Sequence, residues 1–160
     1  MNTEIRNLPH FIIEVLSVLM LLCSFLPLLA YGSLEGAQVP THFDAAGNPD
    51  SFEDRQMLIY LPILSLIIFA VMTLAEKRPK FINLPIKLTE NGRDFLYANG
   101  WKFMREIKLC CMFMTAYIAY WTYAIALGKA VSMPVWGIIV SIAAMLLVLA
   151  RATYLVYNWN

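Results

Sequence analysis

The chain has 160 residues, of which 60% are hydrophobic and 14% are charged, whereas a soluble domain has about 45–50% apolar and about 25% charged residues. This composition excludes a disordered chain, and the grouping of apolar residues into four long blocks excludes an ordinary soluble domain. The connections between the blocks are too short to bury a core of their own, which excludes a separate soluble catalytic domain. With a net charge of +1, nothing indicates a nucleic-acid partner. The sequence predicts an integral membrane protein.

Each apolar block is about 20 residues long, which is enough for an α-helix to cross a hydrocarbon core of about 30 Å. Helices are expected because an open strand would leave backbone groups unpaired in lipid. The first block is longer than the apolar region of a typical signal peptide, so we expect it to be an uncleaved span. We predict a single all-α membrane domain over 1–160 with four transmembrane helices. The predicted spans are 11–31, 57–75, 109–128 and 135–157.

The two longer connections differ in charge. The first, at 32–56, holds five acidic residues and one basic residue, whereas the second, at 76–108, holds eight basic and four acidic residues. Basic loops stay on the cytoplasmic side of a membrane. We therefore expect an outer loop at 32–56, an inner loop at 76–108 and both termini in the cytoplasm.

The inner loop contains a predicted amphipathic helix. Thr89 is placed to cap a helix that begins near Glu90 and continues towards the third span. Tyr97, Trp101 and Met104 follow at helical spacing, whereas the charged residues, Arg105 among them, lie elsewhere around the helix. A candidate partner surface consists of Tyr97, Trp101 and Arg105. Two interpretations remain open for this helix: it rests on anionic lipid, or these three residues form a surface for a cytoplasmic protein partner.

Two ionisable residues lie inside predicted spans. Glu14 is about one turn from the cytoplasmic end of the first span, and Arg151 is about two turns from the same end of the fourth. A charge at the centre of a span costs about 2.5–3.5 kcal/mol on insertion scales unless it is paired or solvated. We predict that Glu14 and Arg151 form an intramembrane pair; the alternative is that each reaches the headgroups separately.

The outer loop has the composition of an ordered turn. Gly47 and Pro49 favour turns, and Asp44 and Asn48 are residue types that hydrogen-bond their own backbone there. The spacing of the stretch 51–54, with Ser at its start and Asp at its end, predicts a capping box that opens the second helix. We therefore expect an ordered extracytoplasmic lid.

The residues of this lid allow three interpretations: a metal site, a hydrolytic site or a structural turn. His42, Asp44 and Asp50 could gather around a metal, but their spacing matches no established zinc or calcium loop. Hydrolysis would rest on His42 and Thr41 alone, which lack an oxyanion site. The favoured interpretation is structural, with His42 and the aspartates satisfying the loop and Phe43 packing over the helix ends. We expect no enzymatic activity, no cofactor and no metal.

The outer loop resembles the signature of the family catalogued as domain of unknown function 1648, in which a segment of the form Pro-x-His-Phe-Asn/Asp-x-x-Gly-x-Pro-Asp follows the first transmembrane helix. The matching residues are Pro40, His42, Phe43, Asp44, Gly47, Pro49 and Asp50. The family's inner loop is similar as well. The residues that match there are Pro85, Thr89, Glu90, Asn91, Tyr97 and Arg105.

The same domain occurs in SdpI-type immunity and signal-transduction proteins, so the resemblance implies an immunity or signalling module in the cytoplasmic membrane of a bacterial cell. We expect an extracytoplasmic peptide or protein as the ligand of the loop. The expected ligand-binding residues are His42, Phe43, Asp44, Gly47, Pro49 and Asp50. An acidic loop would attract a cationic peptide by long-range steering. The alternative is a small transporter or transporter subunit that uses the region of Glu14 and Arg151.

Overall fold

The computed structural model describes residues 3–78, 80, 82 and 84–159, with side chains from residue 8 onward. It is mostly helical, and four helical stretches are long and apolar enough to cross a membrane. The predicted helical architecture with four candidate spans is confirmed, whereas the prediction of an all-α fold is wrong for the outer loop, which contains two short β-strands. The helices are α1, Thr3–Ser24; α2, Tyr60–Glu76; α3, Glu90–Ala126; and α4, Trp136–Tyr157.

The first span is longer than predicted. α1 ends at Ser24, and the chain continues as a 3₁₀ helix over Leu26–Leu34, so that the apolar helical stretch covers Leu8–Leu34. Pro27 lies near the start of the 3₁₀ segment. Proline has no N–H to donate to the preceding turn of an α-helix, which explains the change of helix type at this point.

The inner amphipathic helix and the third span form one helix. α3 has 37 residues and is therefore about 55 Å long. As predicted, the Thr89 side chain caps its first turn and accepts a hydrogen bond from the backbone N–H of Gly92 at 3.3 Å. α3 packs against all three other long helices; α1 also contacts α2, while α4 packs chiefly on α3.

The outer loop folds as a β-hairpin. Strand β1, Gln38–Phe43, pairs antiparallel with strand β2, Pro49–Asp54, and a 3₁₀ turn over Arg55–Ile59 leads into α2. The predicted capping box at 51–54 is wrong, because these residues belong to β2. Asp54 precedes the 3₁₀ turn without a side-chain cap.

A small core joins the hairpin to one end of the helical bundle, which we call the hairpin end. Leu34, Val39 and Leu58 are buried there. Tyr123, near the end of α3, and Leu127, just after it, pack against them. Elsewhere the faces of the spans carry many exposed large apolar side chains, such as Leu146 and Leu147 on α4. Exposed apolar surface of this extent fits contact with lipid.

Candidate functional sites: an acidic hairpin and a buried ion cluster

The hairpin turn is organised by one carboxylate. The Asp44 carboxylate accepts hydrogen bonds from the backbone N–H groups of Ala46 and Asn48, both at 2.8 Å, and from the Asn48 side chain at 3.1 Å. These hydrogen bonds favour the charged form of the carboxyl group and so lower the pKa of Asp44 below its ordinary value of 3.8. The bond from the Asn48 backbone has the largest effect. The prediction that Asp44 and Asn48 hold the turn is confirmed.

The tip of the hairpin docks on the connection between α3 and α4. The Met133 N–H donates to the Gly47 carbonyl oxygen at 2.8 Å. Gly47 has a φ of +84°, and a Cβ atom there would lie 1.9 Å from the Met133 carbonyl oxygen. This position requires a left-handed backbone and leaves no space for a side chain beside the Met133 backbone, and glycine meets both requirements.

The other end of the hairpin is tied to the first span. Arg55 lies over the ring of Tyr31, 4.7 Å from its centroid, and donates a hydrogen bond to the Tyr31 carbonyl oxygen at 3.3 Å. Val39 is fully buried in the small core. The hairpin is therefore held in place at its tip by Gly47, in strand β1 by Val39, and just after strand β2 by Arg55.

The exposed surface of the hairpin is acidic. His42 Nδ1 and Asp50 Oδ1 lie 2.6 Å apart, with both side chains largely exposed. Phe52 is also exposed, with 45% of its surface accessible, beside Glu53 and Asp54 on β2. An aromatic side chain among carboxylates can contact a ligand that is both apolar and cationic.

His42, Asp44 and Asp50 are not arranged as a metal site. The Asp44 carboxylate is used by its own turn, whereas His42 contacts Asp50. Among the described residues, no three His, Cys, Asp or Glu side chains are grouped closely enough to hold an ion.

A buried ion cluster lies at the opposite end of the bundle, which we call the ionic end. The Lys108 side chain of α3 is fully buried; its Nζ lies 2.8 Å from Glu14 Oε2 of α1 and also contacts the Glu76 carboxylate at the end of α2. It donates a hydrogen bond to the Thr73 hydroxyl at 3.1 Å. One ammonium group therefore links three helices.

Arg105 completes the cluster. Its Nε lies 3.1 Å from Glu76 Oε2 and 3.4 Å from Glu14 Oε2. Its guanidinium group lies over the Trp101 ring, 5.1 Å from the centroid. Two positive and two negative side chains thus meet at the ionic end, and their charges balance.

The structure corrects the predicted Glu14–Arg151 pair. Glu14 contacts Lys108 and Arg105, whereas Arg151 pairs with Glu106 of α3. The physical reason is the position of α3: α1 and α4 each pack on it, so each helix finds its ionic partner on α3. Lys108 and Glu76, which the sequence places at loop boundaries, were missed as cluster members. The available signal was the spacing of Arg105 and Lys108, three apart on one helix and therefore on one face.

The three residues of the predicted cytoplasmic partner surface, Tyr97, Trp101 and Arg105, lie in different surroundings in the structure. Tyr97 is 37% exposed on α3, as such a surface requires. Trp101 instead packs edge-on against His10, with ring centroids 5.1 Å apart, and Arg105 points into the ion cluster. The three residues therefore do not form one exposed patch, because Trp101 and Arg105 face the neighbouring helices.

Residues 18–66 match the model of the family described as "Domain of unknown function (DUF1648)". This confirms the resemblance drawn from the outer loop, since all seven residues of that motif lie in the matched range. The match covers the last third of α1, the 3₁₀ helix that follows it, the hairpin and the start of α2. The residues of the inner loop that resemble the family lie outside the matched range.

The chain is also similar to a protein of Archaeoglobus fulgidus described as an "Uncharacterized protein". The two are 34% identical over 113 residues, which are 62% of this chain and 60% of that relative. The chain thus matches less than two thirds of that relative's length. No solved structure matches the chain.

Proposed function

We propose that this protein is a non-enzymatic membrane module for immunity or signalling, whose acidic hairpin recognises a cationic peptide or protein outside the cell. The observation that carries the proposal is the exposed set of acidic side chains around Phe52, on a hairpin fixed to the bundle through Gly47 and Arg55. The implication of the family resemblance agrees with it.

Charge asymmetry supports the orientation that the proposal needs. The basic residues of 76–108 lie in and near the ionic end, while the hairpin carries a net negative charge. Under the positive-inside rule, the ionic end and both termini face the cytoplasm of a bacterial cell and the hairpin faces outward. In this orientation Tyr97 is available to a cytoplasmic partner.

A fixed hairpin suits recognition for two physical reasons. Its carboxylates raise the local concentration of a cationic ligand and so speed its association. Because the turn and the base are already ordered, little conformational entropy is lost when the ligand binds.

The transport alternative depended on Glu14 and Arg151 acting together, and these two side chains have different partners. The positive and negative side chains around Lys108 balance one another. The hairpin therefore has the stronger support as the functional surface.

The proposal is tested with the protein in lipid nanodiscs and a labelled amphipathic peptide of lysine and leucine residues, monitored by fluorescence anisotropy. A Glu53→Gln, Asp54→Asn double variant should bind this peptide about two- to thirtyfold more weakly, since exposed charge pairs contribute about 0.2–1 kcal/mol each. The difference should shrink as salt is added.

The matched control removes the same charge at the ionic end, in a Glu90→Gln, Asp94→Asn variant, which should bind like the parent.

A second experiment measures protection of a sensitive strain against a secreted cationic toxin, with His42→Ala and Phe52→Ala compared with the parent. Equal peptide binding by the hairpin and control variants, or equal affinity for a glutamate-containing peptide, would contradict the proposal.

A further inference from the structure

A groove runs along α3 between α1 and α4, away from the hairpin. α1 and α4 both pack on α3, so α3 forms the floor of the groove. Three adjoining cavities of about 880, 370 and 350 Å³ make up its length. The first two share His10, Phe95, Asn99 and Lys102 and therefore form one polar cleft.

The third cavity continues the groove into the apolar part of the bundle. It begins one helical turn beyond the polar cleft on two helices, since Leu16 follows Ile13 on α1 and Leu109 follows Glu106 on α3. From Pro9 to Met20 the groove follows α1 for about 17 Å. The apolar segment is lined by Leu16, Met20, Cys110, Phe113, Val140 and Ala144.

The polar cleft presents charges of both signs. Asp94 and Lys102 line its outer part, and the ion pair of Glu106 with Arg151 lies in its inner part. Two positive and two negative side chains give no net charge, which favours a zwitterionic ligand over an anionic one. The Lys102 ammonium donates a hydrogen bond to Asn99 at 2.9 Å and so has a fixed position.

Aromatic side chains mark the same end as a membrane interface. The rings of Phe95 and Trp159 stack in the cleft wall, with centroids 5.3 Å apart and an interplanar angle of 17°. Tryptophan is enriched at the level of lipid headgroups. A polar cleft at headgroup level that leads into an apolar groove has the shape and polarity of a single phospholipid.

We propose that this groove binds one bilayer phospholipid with a phosphoethanolamine headgroup. The headgroup ammonium donates hydrogen bonds to Asp94, and the phosphate accepts from Lys102. One acyl chain lies along the apolar segment. The lipid fills the gap between α1 and α4, and this binding is independent of ligand recognition by the hairpin.

The test is native mass spectrometry of the protein released from nanodiscs that contain phosphatidylethanolamine, phosphatidylcholine and phosphatidylglycerol. We expect one retained phosphatidylethanolamine molecule per chain. Phosphatidylcholine should be retained less because its quaternary ammonium has no N–H to donate to Asp94.

Two pairs of variants locate the lipid. Lys102→Gln should lower retention of phosphatidylethanolamine about tenfold, as expected for the loss of one charge-assisted hydrogen bond, whereas Lys77→Gln, at an exposed lysine of the same end, should leave it unchanged. Ala144→Phe should fill the apolar segment and abolish retention. Ala143→Phe, at the exposed neighbouring position, should not.

A lipid carrying a photoactivatable group in its acyl chain gives a measurement that needs no variant. We expect cross-links on the peptides that contain Met20, Phe113 and Ala144. Cross-links confined to other faces, or equal retention in the two phenylalanine variants, would overturn the proposal. Equal retention of the three lipids would also overturn it. So would a dimer of this chain without bound lipid, if Ala144→Phe dissociates that dimer and Ala143→Phe does not.

Discussion

Lys108 is the residue on which the ionic end depends. Its side chain has no exposed surface, and it contacts Glu14, Glu76 and Thr73 on two other helices. A buried charge is tolerated where it is both paired and hydrogen-bonded. The four balanced charges therefore explain how a lysine lies among apolar helices.

Replacing Lys108 by methionine should destabilise the protein by about 3–5 kcal/mol, because the change leaves the Glu14 and Glu76 carboxylates to share the single positive charge of Arg105. The free energy of unfolding in detergent micelles measures this effect. Lys77→Met, at an exposed lysine, should change the same quantity by no more than about 0.5 kcal/mol.

A double variant separates the charge from the shape of the site. Lys108→Met leaves one negative charge in excess, because Arg105 still pairs with Glu14 and Glu76. Adding Glu14→Gln removes that excess charge, so part of the lost stability should return. If Lys108→Met is as stable as the parent, the cluster contributes nothing to holding α1, α2 and α3 together.

Asp44 gives a prediction that depends on pH. Hydrogen bonds lower its pKa in the folded hairpin, so its stabilising contribution is present above its ordinary value of 3.8 and is lost as the pH falls through the lowered folded-state pKa. The amide resonances of Ala46 and Asn48, followed by NMR, should titrate with a midpoint below 3.8. Asp44→Asn should abolish this transition, and a midpoint at or above 3.8 in the parent would contradict the turn geometry.

Residue-scale predictions from sequence succeeded where the interaction is local. Asp44 and Asn48 are four residues apart and their roles follow from turn chemistry. The partner of Glu14 is 94 residues away. Helical spacing predicts how deep the charge of Glu14 lies in the membrane. Which basic residue at that depth it contacts depends on how the helices pack, and no pattern in the sequence measures that packing.

At the scale of elements, the hairpin was predicted as an ordered loop and not as paired strands. β1 contains a proline, and β2 begins with proline and contains three acidic residues, all of which are depleted in strands. The pattern of a capping box at 51–54 favoured a helix start instead. Tertiary contacts decide the outcome, because Val39 is buried against α3 and Gly47 docks on Met133.

Gly47→Ala should release the hairpin tip. The new methyl group would clash with the Met133 carbonyl oxygen, and the left-handed backbone adds about 1–2 kcal/mol. Hydrogen exchange of the Met133 amide, which donates to Gly47, should become markedly faster than in the parent.

Gly36→Ala is the matched control for this variant. Gly36 has a φ of +75° but has open space around its Cβ position, so alanine there incurs the backbone penalty without a clash. The Met133 amide should remain protected. Equal exchange rates in the two variants would show that close docking of the tip is not what protects this amide.

Across the whole molecule, charge is divided between the two ends of the bundle. The acidic hairpin occupies one end, while the balanced ion cluster and the basic connection occupy the other. The four spans could be predicted from the sequence because about 20 consecutive apolar residues are sufficient evidence for each. The lipid groove could not, because it arises from the packing of α1 and α4 on α3.

The central claim, that the acidic hairpin faces the cell exterior, is tested most directly by cysteine labelling. Cys23, Cys110 and Cys111 are first replaced by alanine, and a single cysteine is introduced by Asn48→Cys at the exposed hairpin tip or by Lys77→Cys at the ionic end. With a membrane-impermeant maleimide, we expect Asn48→Cys to be labelled in intact cells and Lys77→Cys only after lysis. Labelling of Lys77→Cys in intact cells, with Asn48→Cys protected until lysis, would contradict the claim.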